Sequence, residues 1–254
     1  DLDWFKQHKL NDEKVKIKNI TNDYGVLVLA GPKSRDVLSH LTNTNLESKN
    51  FPWLTGKDIL IDNIAIKALR INYLGELGWE LHHKFADMNK LYDILMDAGK
   101  KYNISNFGAY AVNSLRLEKA YKGWGTELTG EISLIEADMY RFFNLNKKNE
   151  FIGSESLKGI LERGIDIKIV YLEVDVLDAD SIGNEPVYYN NQIVGVVTSG
   201  GYGFRVNKSL AFAYIKEDVK KKTNEFEIKI QGSFRRAKAL EEAAYDPLNE
   251  KLKG

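Results

Sequence analysis

Cysteine is absent from the 254 residues, and histidine and proline occur only four times each. The absence of cysteine excludes disulfides, thiolate metal sites and cysteine nucleophiles together. The histidines show no HxxxH or HExxH spacing. The one adjacent pair, His82 and His83, is expected to point to opposite faces of a strand. No metal site is therefore predicted.

A net charge and long apolar runs are also missing. Thirty-six basic residues balance thirty-six acidic ones, so no overall field favours nucleic acid or an anionic membrane. No apolar run approaches the roughly eighteen residues that a membrane span requires, and no secretory signal opens the chain. We expect a cytoplasmic protein that has neither nucleic acid nor a membrane as partner and recognises its ligand through a local site.

The chain has two regions with different predicted secondary structure. Up to about residue 164, short strands such as 26–30 alternate with helices, which are predicted over 88–102 and 107–121. From residue 165 strands dominate, and they are predicted over 167–174, 185–189, 192–198, 210–215 and 225–230. Asn190-Asn191 suits a tight hairpin between two of them. The prediction is an α+β fold in which an α/β domain, residues 1–150, precedes a small antiparallel β-barrel domain, residues 151–254.

Polar function is most concentrated in residues 71–81, where Tyr73 and Glu80 flank a glycine-punctuated turn. The runs before and after the turn resemble strands, so we expect Tyr73 and Glu80 to face each other across a hairpin-like turn. The alternative is a solvated turn whose neighbouring apolar residues, Trp79 and Leu81, lie in the core. The residue types alone leave both interpretations open.

Seven motifs in order through nearly the whole chain carry a family resemblance, at residues 30–38, 73–81, 113–121, 124–125, 151–153, 197–200 and 245–247. Together they resemble the folate-binding module shared by glycine-cleavage T proteins (aminomethyltransferases) and the C-terminal parts of dimethylglycine and sarcosine dehydrogenases. The Gly-Glu-Leu-Gly-Trp-Glu-Leu motif is more similar to the dehydrogenase branch. Such a relative in a eukaryote is expected in the mitochondrial matrix.

The resemblance implies a tetrahydrofolate site in which Tyr73 and Glu80 contact the pterin. A pterin presents an N–H and an amino group side by side, and one carboxylate can accept hydrogen bonds from both. Arg141 is a further candidate, because a guanidinium plane can cover a conjugated ring. Tyr202 is another, which would approach the site from the barrel; the alternative for Tyr202 is a plain glycine-rich turn with an exposed aromatic. Glu76 is expected to be structural or solvated.

The implied reaction is tetrahydrofolate-dependent transfer of an aminomethyl or methyl group, with a small amine as donor and a flavoprotein domain or subunit as partner. The family's catalytic aspartate lies upstream of the strand at residues 26–30. Residues 1–25 contain no pair of adjacent aspartates, so we expect the C-terminal portion of the module, and the catalytic residue is unknown. The alternative is a non-catalytic folate-binding accessory or scaffold protein.

Overall fold

The computed structural model describes residues 1–254, which form two compact units. The first unit comprises Asp1–Asn72, Glu76–Asn106 and Lys251–Gly254. The second comprises Tyr73–Gly75 and Phe107–Glu250. This division follows spatial contacts, and the sequence domains 1–150 and 151–254 stay a prediction. None of the helices has the length and apolar character needed to span a membrane.

A four-stranded antiparallel sheet forms the centre of the first unit, in the order β1-β4-β3-β2. The strands are β1 (Tyr24–Ala30), β2 (Gly56–Ile61), β3 (Ile64–Leu69) and β4 (Gly78–Lys84). The helices of this part of the chain are α1 (Leu2–His8), α2 (Ser34–Ser39) and α3 (Met88–Gly99), with short 3-10 turns at Phe85–Asp87 and Lys100–Tyr102.

Strand β4 shows why one face of this sheet is buried and the other is exposed. Its residues alternate, so Trp79, Leu81 and His83 point into the core, where all three are fully buried. That core also contains Leu38 of α2 and Leu91 of α3. The predicted opposite orientation of the two adjacent histidines is confirmed, as is the burial of Trp79 and Leu81.

The opposite side of the sheet, which we call the open face, carries the other half of the alternation. Glu80 and His82 are its central residues in β4. Four exposed apolar side chains surround them, which is unusual for a sheet face in contact with water: Tyr24, Val26, Val28 and Leu60. The helices cover one face only, so the polar residues of β4 remain accessible.

The strand register corrects the expectation that Tyr73 faces Glu80. Glu80 pairs with Val28 in β1 and with Leu69 in β3. Strand β3 ends at Leu69 because the next residue, Arg70, turns into the interior, where it is almost fully buried and donates to the Phe51 carbonyl oxygen. Tyr73 follows that turn and is not a cross-strand neighbour of Glu80.

A closed six-stranded barrel forms the second unit, in the order β10-β5-β8-β7-β6-β9, and confirms the predicted fold class. Its strands are β5 (Ile167–Val174), β6 (Pro186–Tyr189), β7 (Gln192–Gly203), β8 (Lys208–Lys216), β9 (Glu225–Ile230) and β10 (Ser233–Leu240). Asn190 and Asn191 both have positive φ, +50° and +60°, which confirms the predicted hairpin between β6 and β7.

The helices of the second unit are α4 (Ala109–Glu118), α5 (Ser154–Arg163) and α6 (Glu217–Lys220), with a 3-10 turn at Tyr140–Phe142; a last helical turn, α7 (Glu250–Lys253), closes the chain. Two buried barrel tyrosines hold the end of α4 and the segment that follows it. The Tyr171 hydroxyl donates to the Leu117 carbonyl oxygen, and the Tyr214 hydroxyl donates to that of Glu127. This segment is therefore tied to the barrel wall.

Candidate functional site

Glu80 occupies the centre of the open face with its carboxylate partly accessible. The side chain is 29% exposed, and Oε2 lies 3.1 Å from Nε2 of His82. Its cross-strand neighbours on both sides, Val28 and Leu69, are apolar. The carboxylate of Glu80 therefore lies between two apolar side chains, and the packed core on the other face of the sheet holds its strand in place.

Tyr73 lies in the second unit, where its hydroxyl is already engaged. It donates to the Lys122 carbonyl oxygen at 2.6 Å, and its ring stacks on Tyr121 with the centroids 5.8 Å apart. Burial raises the pKa of Tyr73, Arg116 lowers it and Glu127 raises it again, with a net increase. The phenol therefore stays neutral. The residue as a whole is 40% exposed, and the part of it that is open to a ligand is the ring.

Arg141 is also in the second unit. It lies on the Tyr140–Phe142 turn, with its guanidinium 4.7 Å from the Phe142 ring centroid. Burial lowers the pKa of Lys122, and the charge of Arg141 lowers it further, against the effect of Asp138. The charge of Arg141 therefore acts on Lys122, whose carbonyl oxygen accepts the Tyr73 hydroxyl.

Tyr202 lies elsewhere in the second unit, near the end of β7. The sequence left open a glycine-rich turn with an exposed aromatic, but this residue is half-buried and pairs with Ser209 of β8. Its ring packs edge-on against Phe204, and its carbonyl oxygen accepts a hydrogen bond from the Ser114 hydroxyl. No described contact joins it to Tyr73 or Arg141.

Glu127 is a buried carboxylate that the sequence analysis missed. Its Oε2 accepts from Arg116 Nη1 at 2.9 Å, from the Gly123 amide at 2.6 Å and from Thr126 Oγ1 at 2.9 Å. Its Oε1 accepts from the hydroxyls of Thr198 and Ser199, each at 2.6 Å. Burial raises the pKa of Glu127, but these hydrogen bonds and the Arg116 charge outweigh burial and lower it overall.

The network of Glu127 fixes the turn that follows α4 and so determines where the backbone acceptor of Tyr73 lies. Gly123 donates to Glu127 and directly follows Lys122, whose carbonyl receives the Tyr73 hydroxyl. Arg116 supplies the buried charge that pairs with Glu127. In the sequence, Glu127 is only an acidic residue close to Gly123 and Gly125, and no helix or strand periodicity connects it with Arg116. The sequence therefore gives no sign of this ion pair.

Two family models match the chain. The GCVT N-terminal domain matches residues 1–147, and the glycine cleavage T-protein C-terminal barrel domain matches residues 168–246. The chain belongs to the glycine cleavage T-protein family. This confirms the resemblance inferred from the seven motifs.

The curated relatives of this T-protein family chain include dehydrogenases and aminomethyltransferases. Human mitochondrial dimethylglycine dehydrogenase is 42% identical over 91% of the chain, which spans 27% of that protein. Mouse mitochondrial sarcosine dehydrogenase is 29% identical over 95% of the chain, again 27% of that protein. The aminomethyltransferase of Natranaerobius thermophilus is 30% identical over 96% of the chain and 66% of its own length.

A solved structure agrees with the fold of this T-protein chain. The glycine cleavage system aminomethyltransferase T from Bartonella henselae superposes with a TM-score of 0.76 at 22% sequence identity, covering 88% of the chain and 60% of that structure. The chain therefore spans about a quarter of the length of the dehydrogenases and less than two thirds of the aminomethyltransferase T structure.

Proposed function

We propose that this chain binds tetrahydrofolate and acts as the folate-binding part of a dehydrogenase of the dimethylglycine and sarcosine type. The observation that carries the proposal is the Glu80 carboxylate, which is accessible, flanked by apolar side chains and held by one neighbour at a single oxygen. The family and the dehydrogenase relatives support the same ligand and the same kind of assembly.

Glu80 fits the edge of a pterin better than it fits other small ligands. Its carboxylate can accept from the ring N–H and from the exocyclic amino group at once, which gives two charge-assisted hydrogen bonds. The apolar side chains beside it, Val28 and Leu69, suit the faces of a flat conjugated ring. A carboxylate in open solvent would lack this combination.

Tyr73, Arg141 and Tyr202 are proposed as additional folate contacts. Because the Tyr73 hydroxyl donates to the Lys122 carbonyl, we assign its ring, and not its hydroxyl, to the ligand. Arg141 offers a guanidinium that already stacks on Phe142, so it suits a conjugated or anionic part of folate. Tyr202 offers the edge of a half-buried ring.

Tetrahydrofolate, when bound, supplies the nitrogen nucleophile that accepts a one-carbon unit from a small amine. The residues of this chain bind and orient that acceptor, which lowers the entropic part of the barrier. The family's catalytic aspartate has no counterpart in residues 1–25. Transfer is therefore proposed for the assembled protein with its flavoprotein part, in the mitochondrial matrix if the source is eukaryotic.

Calorimetry with tetrahydrofolate tests the binding proposal. We expect a dissociation constant in the micromolar range and a loss of about 10- to 100-fold in Glu80→Gln, because the variant cannot accept both hydrogen bonds as an anion. Glu47→Gln, an exposed carboxylate of the same unit, should bind within twofold of the unsubstituted chain. No measurable binding by the unsubstituted chain sinks the proposal.

The exposed apolar side chains of the open face favour one alternative, a non-catalytic scaffold that binds a partner there. The two functions separate in an assay with an amine donor, a flavoprotein partner and tetrahydrofolate. Formation of methylenetetrahydrofolate that is lost in Glu80→Gln supports transfer. Partner binding without any folate product, and without an effect of Glu80→Gln, supports the scaffold.

A further inference from the structure

His82 shares the open face with Glu80 because residues two apart on a strand point to the same side. A glutamate on a sheet surface normally samples several rotamers, and a ligand that needs one of them must order the side chain when it binds. A neighbour that holds the carboxylate beforehand removes part of that cost. The strand supplies such a neighbour.

The contact between the two side chains is direct. Nε2 of His82 lies 3.1 Å from Oε2 of Glu80, and the side chains are 30% and 29% exposed. Two lone pairs would repel at this distance, so Nε2 carries the proton and donates. The bond occupies Oε2 on one side and leaves Oε1 without a protein partner.

The other charged groups near His82 do not compete for Glu80. Lys67, the cross-strand neighbour of His82 in β3, forms an ion pair with Asp58 at 2.8 Å. The cross-strand neighbour in β1 is the apolar Val26. His82 also lines a cleft of about 560 Å³ with Tyr24 and Lys67.

We propose that His82 is a positioning residue that fixes the Glu80 carboxylate in the rotamer that receives the pterin edge. The inference rests on the proposed function of Glu80 and adds a second residue to it. His82 acts through Glu80 and does not itself touch the ligand's N–H or amino group. Its contribution therefore exists only when Glu80 carries a carboxylate that needs to be held.

A double-mutant cycle in tetrahydrofolate calorimetry tests this role. His82→Leu should weaken binding about five- to tenfold, because the carboxylate is no longer held. His82→Gln, whose amide can still donate near the Nε2 position, should stay within twofold of the unsubstituted chain. In the Glu80→Gln background, His82→Leu should change the affinity by less than twofold.

Two controls separate positioning from a general effect on the sheet. Lys67→Leu alters the neighbouring position of the same face and should leave the affinity unchanged, and the melting temperature of each variant reports on folding. If His82→Leu lowers the melting temperature, His82→Asn, which is too short to reach Oε2, replaces it and should show the same loss of affinity.

The outcomes distinguish the two proposals. An absence of tetrahydrofolate binding by the unsubstituted chain overturns the proposed function and the role of His82 with it. The positioning role alone is overturned if His82→Leu binds tetrahydrofolate normally. It is also overturned if His82→Leu causes the same loss of affinity in the Glu80→Gln background as in the unsubstituted chain. A loss that glutamine at position 82 restores, and that disappears without the Glu80 carboxylate, supports it.

Discussion

Glu127 and Glu118 are two buried carboxyl groups of the second unit with opposite surroundings. Glu127 has five hydrogen-bond donors and the charge of Arg116, whereas Glu118 has backbone donors at Arg205 and Val206 and an Oε2 atom without a partner. Burial raises the pKa of both carboxyl groups. At Glu127 the hydrogen bonds and the Arg116 charge outweigh burial, so its pKa is lowered overall; at Glu118 burial outweighs the backbone hydrogen bonds, so its pKa is raised. The two groups should therefore affect stability with opposite dependence on pH.

Replacing Glu127 by glutamine should destabilise the protein by about 3–5 kcal/mol at pH 7, because Arg116 then keeps a buried charge without its partner. A lowered pKa means that the stabilisation is present above the unfolded-state value near 4.5 and is lost as pH falls below it. The difference in melting temperature between Glu127→Gln and wild type should shrink as pH drops from 5 to 3. A constant difference would contradict the charge argument.

Replacing Glu118 by glutamine should stabilise the protein at pH 7 instead of destabilising it. The raised pKa of Glu118 means that ionising it costs stability as pH rises through and above about 4.5. Glutamine keeps an acceptor for the Arg205 amide and carries no charge, so Glu118→Gln should raise the melting temperature by on the order of 2 °C at pH 7. Calorimetric scans at pH 4 should show the two proteins melting together.

The ring of Tyr73 can be separated from its hydroxyl by two substitutions. Tyr73→Phe removes a hydrogen bond to the Lys122 carbonyl and should cost about 1 kcal/mol of stability while tetrahydrofolate affinity stays within threefold. Tyr73→Leu removes the ring and should weaken binding about tenfold. Equal losses of affinity in the two variants, measured by calorimetry, would mean that the hydroxyl contacts the ligand.

Residue-level prediction from sequence succeeded where one strand sets the geometry. Strand alternation predicts that His82 and His83 point to opposite faces, and the alternative interpretation of the turn placed Trp79 and Leu81 in the core; the structure shows both. The Glu127 network was missed because its donors come from α4, the following turn and β7. Such a meeting of distant segments has no local signature.

At the level of elements, glycines distinguish close strand contacts from open helix positions. A Cβ at Gly78 would lie 2.7 Å from the Leu29 carbonyl oxygen and 2.9 Å from the Ala30 Cα, both backbone atoms of β1. Gly78→Ala should therefore destabilise the β1–β4 pairing by about 1–3 kcal/mol. Gly159 of α5 has open space around it, so Gly159→Ala should stabilise by about 0.5–1 kcal/mol.

Urea unfolding monitored by circular dichroism measures both glycine changes with one protocol. A drop in the denaturation midpoint for Gly78→Ala together with a rise for Gly159→Ala is the expected pair of results. If both variants lose stability, the open environment of the helix glycine does not govern its substitution. If neither variant loses stability, β1 can shift by a few tenths of an ångström to make room for the added methyl group without a cost in stability.

Element boundaries were predicted best where apolar residues occupy every second position, as in β9, or most of the strand, as in β5. Strands β5 and β9 have the expected bounds, 167–174 and 225–230. Strand β7 continues to Gly203, beyond the expected 198, because Gly200 admits the Ser181 backbone where any side chain would clash. Strand β10 was not predicted, since its inward residues include two small alanines, Ala237 and Ala239, which give a weak strand pattern.

For the whole molecule, the balance of thirty-six acidic and thirty-six basic residues predicts minimal solubility near pH 7. At that pH, little net charge keeps molecules apart, and the apolar side chains of the open face are free to associate. Light scattering of the chain at pH 5.5, 7 and 8.5 should show the most association at pH 7. A steady trend with pH would contradict this expectation.

Strand β4 also determines how the proposed folate-binding surface can change during evolution. One insertion or deletion between Trp79 and Glu80 would exchange the two faces of the rest of the strand. The carboxylate would enter the core, and core residues would replace it outside. Variation in this strand is therefore confined to substitution, and changes of length must fall in the loops that precede Gly78 or follow Lys84.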